Sequence, residues 1–238
     1  MRSIDLDKER EYENSKILSD EVRKEQSKYY WATEIPTKEH IEQTYSEING
    51  LSGLEIGCSS GSDAIEYAKY CSTYVGIDIS DEAIKLAKNK NIANCEFICT
   101  DGHNLPFENE SLDFVIVNSL LHHLDLSSTF VEINRVLKPK GKLIFREPLG
   151  TNPFFQIYRF FTPTARTVDE RPFTFNDIKL MKAHFEFGEI RWFGFLAIGA
   201  AFFKSVKLRY FLTHIDDILA KTPLKYAFWQ FSGVAHKR

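Results

Sequence analysis

From Leu51 onward the chain alternates short apolar runs with helix-like spacers, and this alternation narrows the available folds more than any other feature. The runs lie at 51–56, 74–79, 95–98, 112–117 and 142–146. Strand and helix in strict alternation predict a parallel sheet covered on both faces, the doubly wound α/β architecture. The spacers carry helix signals. Residues 62–69 contain Ala64, Ile65, Tyr67 and Ala68, and Ser80 followed by Asp81 and Glu82 is an N-cap signature ahead of Ile84, Leu86 and Ala87. A further helix over 130–137 is halted by Pro139 and Gly141.

Outside this core the texture differs. The first 30 residues are dense in Glu and Lys, with only Ile17, Leu18 and Val22 as an apolar stripe, which predicts a polar helix packed on one side. A short helix is expected after Thr37. Beyond Pro148, prolines 153, 163 and 172 punctuate an aromatic stretch before a helix opened by Thr174 and Asp177. Residues 185–193 alternate as a strand, but in two phases that require a bulge near Gly188. A closing strand is expected at 225–235. The organisation expected is an N-terminal helical lid (1–50), a cofactor-binding core (51–148), and a C-terminal part of the same domain (149–238) with an acceptor-lid insert and closing strands.

Charge divides the chain at nearly the same place. Residues 151–238 hold 13 Lys/Arg against 7 Asp/Glu, a balance of +6, while residues 1–150 hold 17 against 26, or −9. The last 88 residues also hold 20 of the 33 aromatics. The overall charge of −3 gives no reason to expect bulk nucleic-acid binding. Cys58, Cys71, Cys95 and Cys99 form no C-x-x-C pair, and the charged residues 1–10 lack the apolar stretch of a secretory signal, so a reducing cytoplasm is the default and no metal site is expected. The longest nearly uncharged apolar run, 192–203, is too short to span a bilayer as a helix.

The chemistry-bearing residues cluster at strand ends. Gly57 and Gly61 sit where the first strand turns into a helix, which lets the backbone turn tightly and present free amides to a ligand. Asp78 ends the next strand, 21 residues after Gly57, where a carboxylate accepts both hydroxyls of a ribose laid across the strand ends. Asp101 follows the third strand. With Glu55, these acids at three successive strands are expected to converge on one crevice. A dinucleotide-dependent oxidoreductase shares this logic, but its third glycine is Ser62 here.

Five motifs in order make the sequence resemble the class I S-adenosylmethionine-dependent methyltransferases, in particular the small-molecule group typified by quinone-biosynthesis enzymes. They are Leu54-Glu55-Ile56-Gly57 with Gly61; Val75-Gly76-Ile77-Asp78-Ile79-Ser80; Asp101 with Leu105-Pro106-Phe107; Leu112-Asp113-Phe114-Val115 leading to Leu121-His122-His123-Leu124; and Arg135-Val136-Leu137-Lys138-Pro139 before Gly141. The resemblance implies a Rossmann-like seven-stranded sheet whose last strand is antiparallel. It also implies S-adenosylmethionine as cofactor and S-adenosylhomocysteine as product. By the same resemblance Glu55 and the loop Gly57, Cys58, Ser59, Gly61 cradle the methionine part. Asp78 with Ile79 takes the ribose, Asp101 with Gly102 the adenine, and Asn118 the methionyl amine. The loop departs from the group at Ser59, where glycine is commoner.

Methyl transfer by in-line displacement needs a base only for a protonated acceptor, and His122 and His123 at the crevice rim are the candidates. One of the pair packing under the loop and the other capping the next helix is the plainer reading. No Asp/Asn-Pro-Pro-aromatic or Pro-Cys motif follows the fourth strand, so the acceptor expected is a small, aromatic or apolar metabolite methylated on O, N or C. Acceptor contacts are sought in Tyr29, Tyr30 and Trp31, in Glu147 and Asn152, and in the 158–175 segment with Arg159, Arg166 and Arg171. The segment 193–212, apolar and then basic, is read either as core or a homodimer interface, the plainer account, or as an element that meets a membrane or lipidic substrate. A catalytically silent cofactor-binding scaffold is the alternative in a different class.

Overall fold

Seven strands form one mixed sheet in the computed structural model, which describes residues 6–18, 27–152, 156 and 171–238. The strands are β1 (Ser52–Ile56), β2 (Thr73–Asp78), β3 (Cys95–Cys99), β4 (Leu112–Asn118), β5 (Leu137–Pro148), β6 (Phe185–Phe193) and β7 (Gln230–Lys237). Their order is β3-β2-β1-β4-β5-β7-β6, with β7 antiparallel to both neighbours and β1 to β5 pairing in parallel. The antiparallel last strand is present as expected. In dinucleotide-binding folds the sixth strand lies directly beside the fifth; here β7 separates them, which removes the oxidoreductase alternative at the level of fold.

Nine α-helices are described: α1 (Leu6–Leu18), α2 (Ser27–Ala32), α3 (Glu34–Ile48), α4 (Ala64–Tyr67), α5 (Asp81–Lys88), α6 (Leu126–Val136), α7 (Phe175–His184), α8 (Ala200–Phe203) and α9 (Val206–Leu219). Strand alternation sorts the core into two layers. Leu54, Ile56, Ile77, Val115, Val117 and Phe145 face α6 and α7. Tyr74, Phe97, Phe114, Ile116 and Ile144 pack on the other side with Ile48, Tyr67 and Ile84 of the opposite helices. Both faces of β4 are buried, which is why its sequence is apolar almost without interruption.

Local signals act as written in the sequence. Ser80 Oγ accepts from the Ala83 amide at 3.1 Å, capping α5. At α7, Thr174 and Asp177 form a reciprocal capping box. In the β6–β7 pair the register passes from Phe187↔Ala235 to Ile190↔Gly233, one extra residue on β6, so the two-phase alternation is resolved by a bulge at Gly188. Boundaries differ where longer-range packing decides. α3 begins at Glu34, before Thr37, and runs for 15 residues. α4 keeps only 64–67 of the expected 62–69. β5 starts at Leu137 and carries Pro139 and Gly141 inside it. β7 starts at Gln230 because Pro223–Ala227 forms a 3-10 turn. No described helix is long and apolar enough to cross a membrane.

Candidate active site

A cavity of about 400 Å³ opens above the carboxyl ends of β1, β2, β3 and β4, the place where doubly wound folds bind ligands. Its floor is the β1–α4 loop. Gly57 takes φ +79°, and a Cβ there would stand 2.7 Å from a Leu120 methyl, so only glycine fits. Ser59, in the position where the sequence departs from its group, adopts φ +48°, the left-handed conformation a glycine takes without strain.

That turn brings the Ser59 amide to Asp78. The Asp78 carboxylate accepts from Ser59 N at 2.8 Å through one oxygen and from Ser80 N at 2.9 Å through the other. Burial raises its pKa, opposed by these amides. Each oxygen keeps a lone pair, and the group lines the cavity beside Ile79.

Asp101 and Gly102 line the next sector. Asp101 Oδ1 accepts from the His103 amide at 3.0 Å and lies 2.6 Å from His103 Nδ1. His103 Nε2 accepts from the Asp125 amide at 3.0 Å, so the ring proton must sit on Nδ1 and point at Asp101. Burial works against the Asp101 charge, but the His103 hydrogen bonds outweigh it and hold the carboxyl below its usual range.

Glu55 does not join them. Leu54 and Ile56 face the α6 side, and Ile56 lines the cavity, so strand alternation sends Glu55 to the opposite face. There it is buried and accepts from the Tyr74 hydroxyl. Burial and the nearby Asp63 charge push its carboxyl up to about 8. Cys58 and Gly61 are also off the cavity. Cys58 is buried in the α3–α5 layer, and a Cβ on Gly61 would meet Ala87 and Phe97. The expected three-acid convergence is therefore two acids, with Glu55 supporting the sheet from behind.

Asn118 lines the cavity from the end of β4. Its side chain lies 3.4 Å from His40 Nε2 and donates to the Tyr67 hydroxyl at 3.4 Å. Desolvation and the Arg146 charge lower His40 to about 4, so the ring is neutral at physiological pH. His40 Nδ1 and Arg146 Nε are buried without a hydrogen-bond partner.

The two histidines after β4 divide. His122 is buried and its Nδ1 lies 2.7 Å from Glu147 Oε2, while Glu147 Oε1 accepts from the Leu120 and Leu121 amides, both at 2.9 Å. Glu147 has no exposed surface, so it cannot touch an acceptor as expected; it fixes the loop and the His122 ring. His123 lines the cavity, with Nδ1 3.2 Å from Glu9 Oε1.

The other acceptor candidates are placed elsewhere. Arg171 is engaged by Asp177 through two hydrogen bonds, at 2.9 and 3.1 Å. Trp31 lies under the Arg209 guanidinium at 4.5 Å in the packing of α2 on α9, and Tyr30, half-exposed, leans on Trp229 beside the start of β7 at 6.1 Å. Asn152 is buried. The side chain of Tyr29, and Arg159 and Arg166, lie outside the described residues.

Beyond the expectation of an N-terminal helical lid, the sequence pattern does not reveal which residues roof the cavity. Leu6, Glu9, Glu13 and Ile17, one face of α1 at helical spacing, close it. Arg10 Nε donates to the Ile79 carbonyl at 3.2 Å, Asn14 donates to Asp81 at 3.0 Å, and Ser80 Oγ donates to Asn14 at 2.6 Å. The cavity is thus walled by Ile56, Ile77, Ile79 and Leu86 and carries four carboxylates, Glu9, Glu13, Asp78 and Asp101.

Fold and cavity together define a nucleoside-binding α/β domain closed by an antiparallel strand. Residues 54–145 match the methyltransferase-domain family. The chain is 32% identical over 126 residues to a phthiotriol/phenolphthiotriol dimycocerosates methyltransferase of Mycobacterium ulcerans, covering 49% of this chain and 46% of that protein. It is 30% identical over 121 residues to the demethylmenaquinone methyltransferase of Staphylococcus saprophyticus, covering 48% and 52%. It spans about half the length of these curated relatives. A solved S-adenosylmethionine-dependent methyltransferase of Methanosarcina mazei shares the fold, with TM-score 0.58 and 22% identity over 83% of this chain and 96% of that one. Over residues 54–145 the chain is similar to the methyltransferase-domain family, and its fold is shared with a solved S-adenosylmethionine-dependent methyltransferase. The cavity fits that cofactor: strand-end carboxylates for hydroxyl and amine donors, apolar walls for a purine, and negative charge for a sulfonium.

Proposed function

We propose that this protein moves a methyl group from S-adenosylmethionine to O, N or C of a small, apolar or aromatic acceptor. The observation that carries the reading is Asp78, held by the Ser59 and Ser80 amides with lone pairs free toward the cavity. The bound cofactor supplies an electrophilic methyl on a cationic sulfur. Asp78 accepts the ribose hydroxyls, Asp101, with His103 locking its direction, accepts an adenine amine, and the Asn118 end of β4 meets the amino-acid portion. The carboxylates of Glu9 and Glu13 favour the cation, and α1 keeps water away from it. For a hydroxyl acceptor, His123 takes the proton and the Glu9 carboxylate stabilises the resulting imidazolium. His122, held by Glu147, is a positioning residue for the loop that carries His123.

An apolar acceptor agrees with the names of the two relatives above, which designate dimycocerosate and demethylmenaquinone substrates. The test is calorimetry with S-adenosylmethionine followed by incubation of protein, methyl-labelled cofactor and a metabolite extract. Binding with a labelled small product supports the reading. Absence of binding sinks it, and binding without any labelled product moves the protein to the catalytically silent class.

A further inference from the structure

The outer face of the C-terminal helices is apolar and basic, and it is held rigidly by its inner face. Between Phe202 and Lys221 the exposed residues include Phe202, Phe203, Val206, Tyr210, Phe211 and Ile218, with Phe203 73% and Phe211 60% exposed. The exposed cations interleaved with them are Lys204, Lys207 and Lys221; of the two acids in that stretch Asp216 is buried, and Asp217, half-exposed, is paired with Arg191. The two acids of α9 are both engaged by partners. Asp216 is buried and accepts from the amides of Phe195, Leu196 and Ala197 at 3.0, 2.8 and 3.1 Å, and Asp217 accepts from Arg191 at 3.0 Å. Arg209, the one inward cation of α9, packs on Trp31, donates to its carbonyl at 2.9 Å and pairs with Glu34. Lys204, at φ +48°, makes the corner from which α9 departs, and Phe202 and Phe203 stand at that corner.

We propose that this face docks on an anionic lipid surface. Contiguous exposed aromatics signal an interaction site. Lysines interleaved with aromatics, with one acid buried and the other paired with Arg191, complement a negatively charged bilayer whose interface accepts Phe and Tyr rings. A second copy of the chain fits less well, because an isologous contact would gather Lys204 and Lys207 of both copies into one interface. The patch lies beyond the stretch matched by the methyltransferase family and next to α2. Docking there needs neither cofactor nor turnover, so it stands or falls separately from the proposed function.

The experiment is vesicle flotation of the full chain with phosphatidylcholine vesicles and with vesicles in which part of the phosphatidylcholine is replaced by phosphatidylglycerol. Expected is flotation with the anionic vesicles only, weakening as salt is raised. F203S/F211S should reduce the bound fraction by about tenfold, and K204E/K207E should remove the preference for phosphatidylglycerol. Both variants should keep the wild-type circular dichroism, since the four side chains are exposed. Failure of the wild type to float at low salt overturns the proposal, as does equal flotation of wild type and both variants. Light scattering that shows a dimer lost in F203S/F211S, without flotation of the wild type, would assign the face to a second copy instead.

Discussion

Asp78 concentrates the cofactor argument in one side chain. Hydrogen bonds to a charged acceptor contribute about 1.5–3 kcal/mol each, so D78A should weaken S-adenosylmethionine binding by about a hundredfold or more in calorimetry; an unchanged affinity would refute its role. Ser59 sits in a left-handed conformation that costs an L residue about 1–2 kcal/mol. Part of that is offset by the greater freedom of an unfolded glycine. S59G should therefore raise the melting temperature by a few degrees, and a lower value would show that the serine side chain stabilises the loop. Glu55 and His40 set a pH dependence of opposite sign. Glu55 titrates near 8 in the fold against 4.5 unfolded, so its contribution is complete below 4.5 and is lost as pH rises through 8. His40 titrates near 4 against 6.5, so its contribution is complete above 6.5 and is lost as pH falls through 4. The two slopes oppose each other between 4.5 and 6.5, leaving Glu55 to act alone above. E55Q should flatten the fall in melting temperature between pH 6.5 and 8; a fall identical to wild type would show that another group is responsible.

At the scale of elements, α1 is the part whose role depends most on distant partners. Its hydrogen bonds reach Ile79, Ser80 and Asp81 at the end of β2, so it closes the cavity from the strand that also presents Asp78. R10A/N14A should release bound S-adenosylmethionine several-fold faster in stopped-flow displacement, with a smaller effect on the association rate; equal dissociation rates would show that α1 does not gate the site. Helix α7 offers a contrast, because its start is set locally. Losing the Thr174 cap in T174A should cost about 1 kcal/mol in denaturant unfolding, and no loss would mean that the Arg171–Asp177 pair suffices to hold the turn.

For the molecule as a whole, the two apolar layers share one sheet, so ligand binding at its strand ends is coupled to global stability. S-adenosylhomocysteine at a hundredfold excess over its dissociation constant stabilises by about 2.7 kcal/mol. In a domain of this size that should raise a single thermal transition by about 5–10 °C; a shift in only one of two transitions would show that the layers unfold separately. The charge division also acquires a place in three dimensions. Acidic residues of the first part line the cavity, while the basic aromatic remainder forms β6, β7 and the exposed face of α8 and α9.

Strand–helix alternation, the Ser80 and Thr174 caps, the bulge at Gly188 and the positions of Asp78 and Asp101 were legible because each depends on period, local capping or a residue's place at a strand end. Glu55 was misread as a cavity acid although its strand was correctly located: the face it occupies follows from which neighbours, Leu54 and Ile56, the sheet turns toward α6. The roof over the cavity, the locked His103, the burial of Glu147 under the His122 loop and the engagement of Arg171 and Trp31 depended on contacts between residues far apart in the chain. Sequence by itself determined the order of elements and the cofactor-bearing strand ends, since those are local properties. Only the tertiary structure decided which side chains face the cavity and which face solvent, because facing is set by the partner across the gap, and no local pattern names that partner.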